Sequence, residues 1–192
     1  MFSQIFIQYI FMIQSHLEFT KTLAFEAGKI IKNSFGKTLT VEEKSIRNLV
    51  TNIDYQVEKF IIRQIKKHFP DHNILAEESN KNKPPSTSNY RWIIDPLDGT
   101  TNYVHGLPFV AISIALEYKK QTILGLVYNP ILNEMFWAEK DSPAFLNNKK
   151  IRVSKTSTLE KAVLATGFHP ENCEKNLIYF GKFIKKVQGI RR

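Results

Sequence analysis

The chain has almost no cysteine: Cys173 is the only one among its 192 residues. A single cysteine excludes an internal disulfide, and one thiol cannot make a zinc site without several well-spaced partners. A disulfide-stapled secreted domain and a cysteine-based zinc protein are therefore excluded. This composition predicts a reducing, cytoplasmic setting.

Long apolar runs with charged flanks are also missing. The most apolar segment is 1–13, which contains no Lys or Arg, precedes no small-residue cleavage site and is too short to span a bilayer. The sequence therefore predicts no signal peptide and no membrane span. We expect residues 1–13 to be a poorly ordered extension, and translation starting at Met12 explains the segment equally well.

Glycine and proline, at 8 each, are too few for a disordered or collagen-like chain, and we find no internal repeat. With 43% hydrophobic and 12% aromatic residues, the chain can bury a sizeable core. Because no linker divides it, the sequence predicts one compact globular unit.

Acidic residues are outnumbered, with 18 Asp and Glu against 27 Lys and Arg, which gives a net charge of +9. Such an excess suits an anionic partner: a phosphate ester, nucleic acid or a membrane surface. The lysines are scattered without a dense block, so solvated helix and strand faces account for them as well. The absence of interleaved aromatic and basic residues argues against a nucleic-acid partner.

Apolar periodicity predicts both helices and strands. The first helix covers residues 17–35, and Gly36 stands where a C-terminal glycine cap belongs. Thr51 is a good N-cap for a second helix, which Pro70 ends. Short polar turns between consecutive strands predict an antiparallel meander, and hence a mixed α+β fold. The other predictions are an extended loop or hairpin at 38–49, strands at 74–76, 90–94, 110–118, 122–128, 134–139 and 163–166, a turn at 95–99, a short helix at 100–104 and a last helix at 171–187.

Five acids stand at predicted element ends: Asp54, Glu77, Glu78, Asp95 and Asp98. Carboxylate oxygens without cysteine are what hard cations such as Mg²⁺ require. Asp95 closes an apolar strand and Asp98 follows across a turn, so their side chains can converge near the Leu97 carbonyl. A carboxylate shared by two ions is a two-metal arrangement, in which one ion makes a hydroxide nucleophile and the other stabilises the leaving oxygen.

Each acid also has an ordinary structural explanation. Asp54 can be a helix N-terminal acid in a capping box with Thr51. The Glu77–Glu78 pair can be an exposed acidic pair, and Asp95 and Asp98 can be plain turn residues. These alternatives remain open at the level of the residues alone.

The acids are followed by a second polar element, Gly99, Thr100, Thr101 and Asn102. Backbone N–H groups at a helix start, with hydroxyls beside them, form a cradle for phosphate. Adjoining metal and anion sites are what phosphoester hydrolysis needs.

The string Trp92-Ile93-Ile94-Asp95-Pro96-Leu97-Asp98-Gly99-Thr100-Thr101-Asn102-Tyr103 resembles the signature of the inositol monophosphatase family. The resemblance covers residues 15–192 and implies a layered α-β-α-β-α fold with an antiparallel sheet in its N-terminal domain. Further matches follow in the family's order: Leu49-Val50-Thr51 leading to Asp54 and Glu58, Ala76-Glu77-Glu78-Ser79, 108–116, Gly125 to Pro130, Ala144 to Asn147 and Ile151 to Ser154.

Carried over residue by residue, the resemblance implies a ligand set. Glu77, Asp95 and the Leu97 carbonyl would hold a first Mg²⁺, and Asp95 and Asp98 would share a second. Glu77 and Thr100, with Asp54, would position and activate the attacking water, and the backbone N–H groups of Gly99 and Thr100 would hold phosphate. Glu78 and Lys44 would lie near a weaker third metal position.

The family's activity is Mg²⁺-dependent, Li⁺-sensitive hydrolysis of myo-inositol monophosphate or a similar sugar-alcohol phosphate, usually by a dimer. The resemblance makes this the expected function, in the cytoplasm and without membrane attachment. A related 3′,5′-bisphosphate nucleotidase is the alternative, although the Thr101-Asn102 pair argues against it.

Family members continue beyond the point where this chain ends, into a second domain with a Trp-Asp segment that supplies a further metal ligand. We therefore expect residues 14–192 to be an N-terminal metal-binding domain whose second domain is largely missing. An inactive truncated fragment or a binding module is the corresponding non-enzyme alternative.

Overall fold

The structure is a computed structural model of the chain, and it describes residues 2–45, 48–79, 88–167 and 173–191. Within these ranges the structure describes every side chain except those of residues 2–15, 43–45, 48, 173 and 175. The chain divides into two compact units, Met1–Ile151 and Arg152–Arg192. The sequence predicted a single unit. It did not reveal the boundary because residues 151–157, which form neither helix nor strand, contain no glycine or proline.

The elements of the first unit match most of the predicted ones to within a few residues. Its helices are α1 (Phe2–Ser34), α2 (Asn52–His68) and α3 (Thr100–Val104). Its strands are β1 (Val41–Ser45), β2 (Asn48–Thr51), β3 (Asn73–Ala76), β4 (Tyr90–Asp98), β5 (Ala111–Tyr118), β6 (Gln121–Asn129), β7 (Glu134–Glu139), β8 (Phe145–Leu146) and β9 (Lys149–Lys150).

Strands β3 to β9 form one seven-stranded sheet whose spatial order follows the sequence. The predicted meander is confirmed from β5 to β7, and β4 also pairs with β5 in an antiparallel arrangement. The edge pair β3–β4 is parallel, a pairing that the sequence did not predict. Residues 77–89 separate β3 from β4 in the sequence, and a parallel pair needs such a long connection because a tight turn cannot join its strands. The segment β1–β2 is a separate hairpin, one of the two structures predicted for 38–49.

Two amphipathic helices pack on the sheet. On α2, the side chains of Ile53, Val57, Ile61 and Ile65 are buried at a four-residue spacing. Helix α1 contacts β5 and β6, and α2 contacts β4. Burial of each such apolar side chain contributes about 1.5–3 kcal/mol, so the stripe of α2 fixes this helix against β4, the strand that carries Asp95 and Asp98.

Helix α1 makes a close approach to β6 at Gly28. A Cβ there would lie 2.6 Å from the Tyr128 ring, so a larger residue cannot be accommodated without a shift. The helix begins at Phe2, well before its predicted start at residue 17. In segment 1–13 the polar residues are only Ser3, Gln4 and Gln8, too few for the clear amphipathic pattern by which a helix is recognised. The division between residues 1–13 and 14–192 stays a prediction.

The second unit contains a 3₁₀ turn (Leu159–Lys161), β10 (Val163–Ala165), α4 (Cys173–Phe183) and β11 (Gly189–Arg191). Strands β10 and β11 pair in parallel. Helix α4 ends at Phe183, before the predicted residue 187, and the Lys186 N–H donates to the Phe183 carbonyl in a tighter turn. The predicted residues 171 and 172 lie outside the described part. No helix in the described ranges combines the length and apolar character that a bilayer crossing requires.

Candidate active site

The site residues meet where the parallel pair β3–β4 ends. Ala76 pairs with Ile94, and the Glu77 N–H donates to the Ile94 carbonyl at 3.2 Å. Because the carboxyl ends of parallel strands lie at one edge of a sheet, Glu77 and Asp95 come together there. Residues distant in sequence are thus brought to the same edge by the one parallel pair in this sheet.

A β-bulge at the end of β4 brings Asp98 to the same place. Asp95 pairs with Ser113 and Asp98 with Ala111, so three steps on β4 oppose two steps on β5. In a regular strand, residues three apart point to opposite faces, and one extra residue reverses that alternation. The segment 95–99, predicted as a turn, is therefore mostly the irregular end of β4, which continues to Asp98.

The carboxylate of Asp95 interacts with those of Glu77 and Asp98. Burial, together with the negative charges of Glu77 and Asp98, raises the pKa of Asp95 to about 7. A hydrogen bond between the side chains of Asp95 and Glu77 raises this pKa further, while the Leu97 N–H, which donates to Asp95 Oδ1 at 3.1 Å, lowers it. The fold thus holds an excess of negative charge that a bound divalent cation would relieve.

These donors suit a hard cation, because they are carboxylate and carbonyl oxygens. Within the described ranges, however, no group of three or more His, Cys, Asp or Glu side chains is arranged as a ready metal site. Asp95 interacts with both Glu77 and Asp98, but these three carboxylates do not form such a group. Glu78 follows Glu77 and is partly buried, and the side chain of Lys44 lies outside the described residues, so the third metal position stays a prediction.

Asp54 lies at the N-terminus of α2 and is 1% exposed. Its Oδ2 accepts hydrogen bonds from the Thr51 N–H at 2.9 Å and the Thr51 hydroxyl at 2.6 Å, which completes the capping box. Its Oδ1 lies 3.0 Å from the Thr100 hydroxyl. The capping explanation of Asp54 is therefore correct, and the same carboxylate also reaches the residue that follows the acids.

The Thr100 hydroxyl lies 3.0 Å from both Asp54 Oδ1 and the Leu97 carbonyl. A hydroxyl carries one proton, so it donates to one of these oxygens at a time. The contact joins the start of α3 to α2 and places Thr100 beside a predicted metal-ligating carbonyl.

Gly99 allows the sharp change of direction between Asp98 and α3. Its φ of +84° lies in the left-handed region, and a Cβ would lie 2.8 Å from the Phe109 carbonyl oxygen. Asn102 Nδ2–H donates to that same carbonyl at 2.8 Å. The backbone N–H groups of Gly99 and Thr100 belong to the first turn, where a helix has no earlier carbonyl to offer them.

Sequence reasoning assigned no separate role to Glu58. This residue is 3% exposed, and its Oε2 accepts the Glu78 N–H at 2.8 Å. Its signal in the sequence is its position, four residues after Asp54 and beside Val57, where an acid enters the apolar stripe of α2.

A model described as the inositol monophosphatase family matches residues 12–192. Inositol monophosphatase 3 of Solanum lycopersicum is 44% identical over 156 residues, which are 80% of this chain and 58% of that protein. A Thermotoga maritima fructose-1,6-bisphosphatase/inositol-1-monophosphatase is 39% identical over 173 residues, 90% of this chain and 63% of its own. A Nus factor SuhB of Pseudomonas aeruginosa is 35% identical over 188 residues, 94% of this chain and 69% of its own.

Solved structures show the same fold. The extragenic suppressor protein SuhB of Bartonella henselae has a TM-score of 0.88 at 38% identity, with 93% of this chain and 70% of that chain covered. The Thermotoga maritima IMPase has a TM-score of 0.84 at 38% identity, with 92% and 67% covered. The chain spans 58% and 54% of the length of the two tomato inositol monophosphatases it matches.

Proposed function

Because this chain belongs to the inositol monophosphatase family, we propose that it takes part in Mg²⁺-dependent hydrolysis of myo-inositol monophosphate or a similar sugar-alcohol phosphate. The observation that carries the proposal is the meeting of Glu77, Asp95 and Asp98 at one sheet edge, beside the Asp54–Thr100 contact. The chain covers little more than half of its tomato relatives, so activity, substrate and partners are all part of the proposal.

Glu77, Asp95 and the Leu97 carbonyl would hold a first Mg²⁺, and Asp95 and Asp98 a second. When bound, the ions supply a water of lowered pKa and stabilise the leaving oxygen. Support comes from the raised pKa of Asp95, because burial and the neighbouring carboxylates disfavour its charged form, which a bound cation would stabilise. Glu78 and Lys44 remain assigned to a weaker third position.

Thr100 and Glu77 would orient the attacking water. Asp54 Oδ1 can accept the Thr100 proton, and this leaves the lone pairs of the Thr100 oxygen to accept a hydrogen bond from that water. The Glu77 carboxylate can then accept a proton from the water. Asp54 would act through Thr100 and not on the water itself, since it is 1% exposed and both of its oxygens accept hydrogen bonds from the protein.

The phosphate group would lie against the backbone N–H groups of Gly99 and Thr100. The glycine matters because its conformation turns this backbone between Asp98 and α3. We also propose a homodimer in the cytoplasm, Li⁺ inhibition, and residues 14–192 as the metal-binding domain.

The proposal is tested by phosphate release from a panel of substrates with Mg²⁺. We expect turnover of inositol 1-phosphate and its inhibition by Li⁺. Fructose 1,6-bisphosphate belongs in the panel because relatives from Thermotoga maritima and Aquifex aeolicus carry that name beside inositol-1-monophosphatase. Turnover confined to a 3′,5′-bisphosphate nucleotide would support the nucleotidase alternative, and no turnover of any substrate would contradict the proposed activity.

A further inference from the structure

Helix α2 contains two acids, Asp54 and Glu58, and both are buried, at 1% and 3% exposure. Removing a carboxylate from water is costly unless hydrogen bonds compensate for the lost solvation. Asp54 has such bonds with Thr51 and Thr100. Glu58 accepts the backbone N–H of Glu78 at 2.8 Å, a contact between residues twenty apart in sequence.

The Glu78 N–H belongs to the peptide that follows Glu77. On the other side of Glu77, its own N–H donates to the Ile94 carbonyl at 3.2 Å. Glu77 is therefore fixed on both sides: β4 holds the peptide before it, and α2 holds the peptide after it. These two bonds fix the backbone of Glu77 and so the direction of its Cα–Cβ bond, which places the side chain beside Asp95, with which it shares a hydrogen bond.

We propose that Glu58 is a positioning residue that holds Glu77 against Asp95 and so prepares the carboxylates for a divalent cation. This inference rests on the metal site of the proposed function. Asp54 has the matching role on the other side of the site, where it holds Thr100. One helix thus positions both chain segments that supply the predicted ligands.

The hydrogen bond and the negative charge of Glu58 can be separated by substitution. Glu58→Gln removes the charge and keeps an oxygen that can accept the Glu78 N–H. Glu58→Asp keeps the charge but shortens the side chain by one methylene, which moves the carboxylate away from the Glu78 N–H. Glu58→Met removes both at a similar side-chain length. Ile65→Val is the matched control, because Ile65 is a fully buried residue of the same helix two turns further from the site.

Two quantities are measured on the full chain: Mn²⁺ binding, monitored by electron paramagnetic resonance, and the hydrogen-exchange rate of the Glu78 amide. Loss of a group that orients a metal ligand typically weakens affinity by about 10- to 100-fold. We expect a loss of that size in Glu58→Met and a clear loss in Glu58→Asp, with faster Glu78 exchange in both. Glu58→Gln and Ile65→Val should bind Mn²⁺ as the parent chain does.

Three results would overturn the inference: unchanged Mn²⁺ affinity in both Glu58→Asp and Glu58→Met, equal losses in Glu58→Met and Ile65→Val, or a loss in Glu58→Gln that Glu58→Asp does not show. If Glu58→Met fails to fold, the Gln and Asp variants still decide. Failure of the metal site itself has a different signature, because the parent chain and Asp95→Asn would then bind Mn²⁺ equally poorly.

Discussion

Replacing Gly99 with alanine tests how tightly the chain is packed between Asp98 and α3. Gly99 has a φ of +84°, and the left-handed region costs an L-residue about 1–2 kcal/mol. The new Cβ would also lie 2.8 Å from the Phe109 carbonyl oxygen, so the backbone must move. Overpacking of this kind costs about 1–3 kcal/mol, and the two effects together predict a loss of about 2–5 kcal/mol in the free energy of unfolding.

Gly36 provides the matched control. Its φ is +74°, and a Cβ there would meet nothing within 4 Å, so Gly36→Ala carries the conformational cost of about 1–2 kcal/mol without the clash. Both alanines reduce the entropy of the unfolded chain equally, and the comparison removes that contribution.

The assay is urea denaturation followed by circular dichroism, with and without Mg²⁺. Gly99→Ala should lose more stability than Gly36→Ala, and it should also lose most of the stabilisation that Mg²⁺ gives, because Gly99 lies between Asp98 and Thr100. Equal losses of stability in the two variants would refute the packing argument. Full Mg²⁺ stabilisation of a folded Gly99→Ala variant would refute its link to the metal site.

Three further predictions follow from the same contacts. Thr100→Val should lower kcat for phosphate release by about 100-fold, the lower end of the range for proton-transfer groups, with little change in KM. Thr101→Val, at the exposed neighbouring residue, should leave kcat unchanged. Mg²⁺ at about 100 times its dissociation constant should raise the free energy of unfolding by ~2.7 kcal/mol, and Asp98→Asn should reduce that gain. Burial, and then the charge of His16, lower the pKa of His72 from 6.5 to about 4, and its neutral Nδ1 accepts the Trp92 indole N–H at 3.0 Å. The unfolded chain therefore binds the extra proton between pH 6.5 and 4, so this contribution to stability is complete above pH 6.5 and is lost as the pH falls towards 4. Because the ring is only partly buried, we expect about 1 kcal/mol after allowance for solvent screening.

Each of these has its own contradicting result. Equal kcat values for Thr100→Val and the parent chain would show that Thr100 does not position the attacking water. A Mg²⁺ effect of equal size in Asp98→Asn and the parent would remove Asp98 from the metal site. For His72, unfolding free energies at pH 7.5 and pH 5 are compared with those of His72→Gln, and an equal decrease in both chains would contradict the assignment.

The sequence predicted much of the fold because its signals are local. Thr51 and the apolar spacing on α2 defined that helix correctly, and short turns defined the meander from β5 to β7. What it could not provide was the parallel pairing of β3 with β4, which depends on contacts across a long connection. The early start of α1 was not predicted either, because an almost uniformly apolar segment has only a weak amphipathic pattern.

The candidate site shows the same division. Asp54, Asp95 and Asp98 were recognised by residue type and position, and the structure brings Asp95 together with Glu77 and Asp98. The bulge that turns Asp98 was predicted only as a turn, because register is set by β5 across the sheet. Glu58 stands in a segment that resembles the family, but its role could not be predicted, because its contact with Glu78 depends on tertiary packing between a helix and a strand end.

The most direct test of the central claim is phosphate release from inositol 1-phosphate by the full chain and by Asp95→Asn, each with and without Mg²⁺. Asp141→Asn, the same change at an exposed turn residue, is the control. The account predicts release by the parent and the control only when Mg²⁺ is present, and none by Asp95→Asn. Release without Mg²⁺, or equal release by Asp95→Asn, would contradict it.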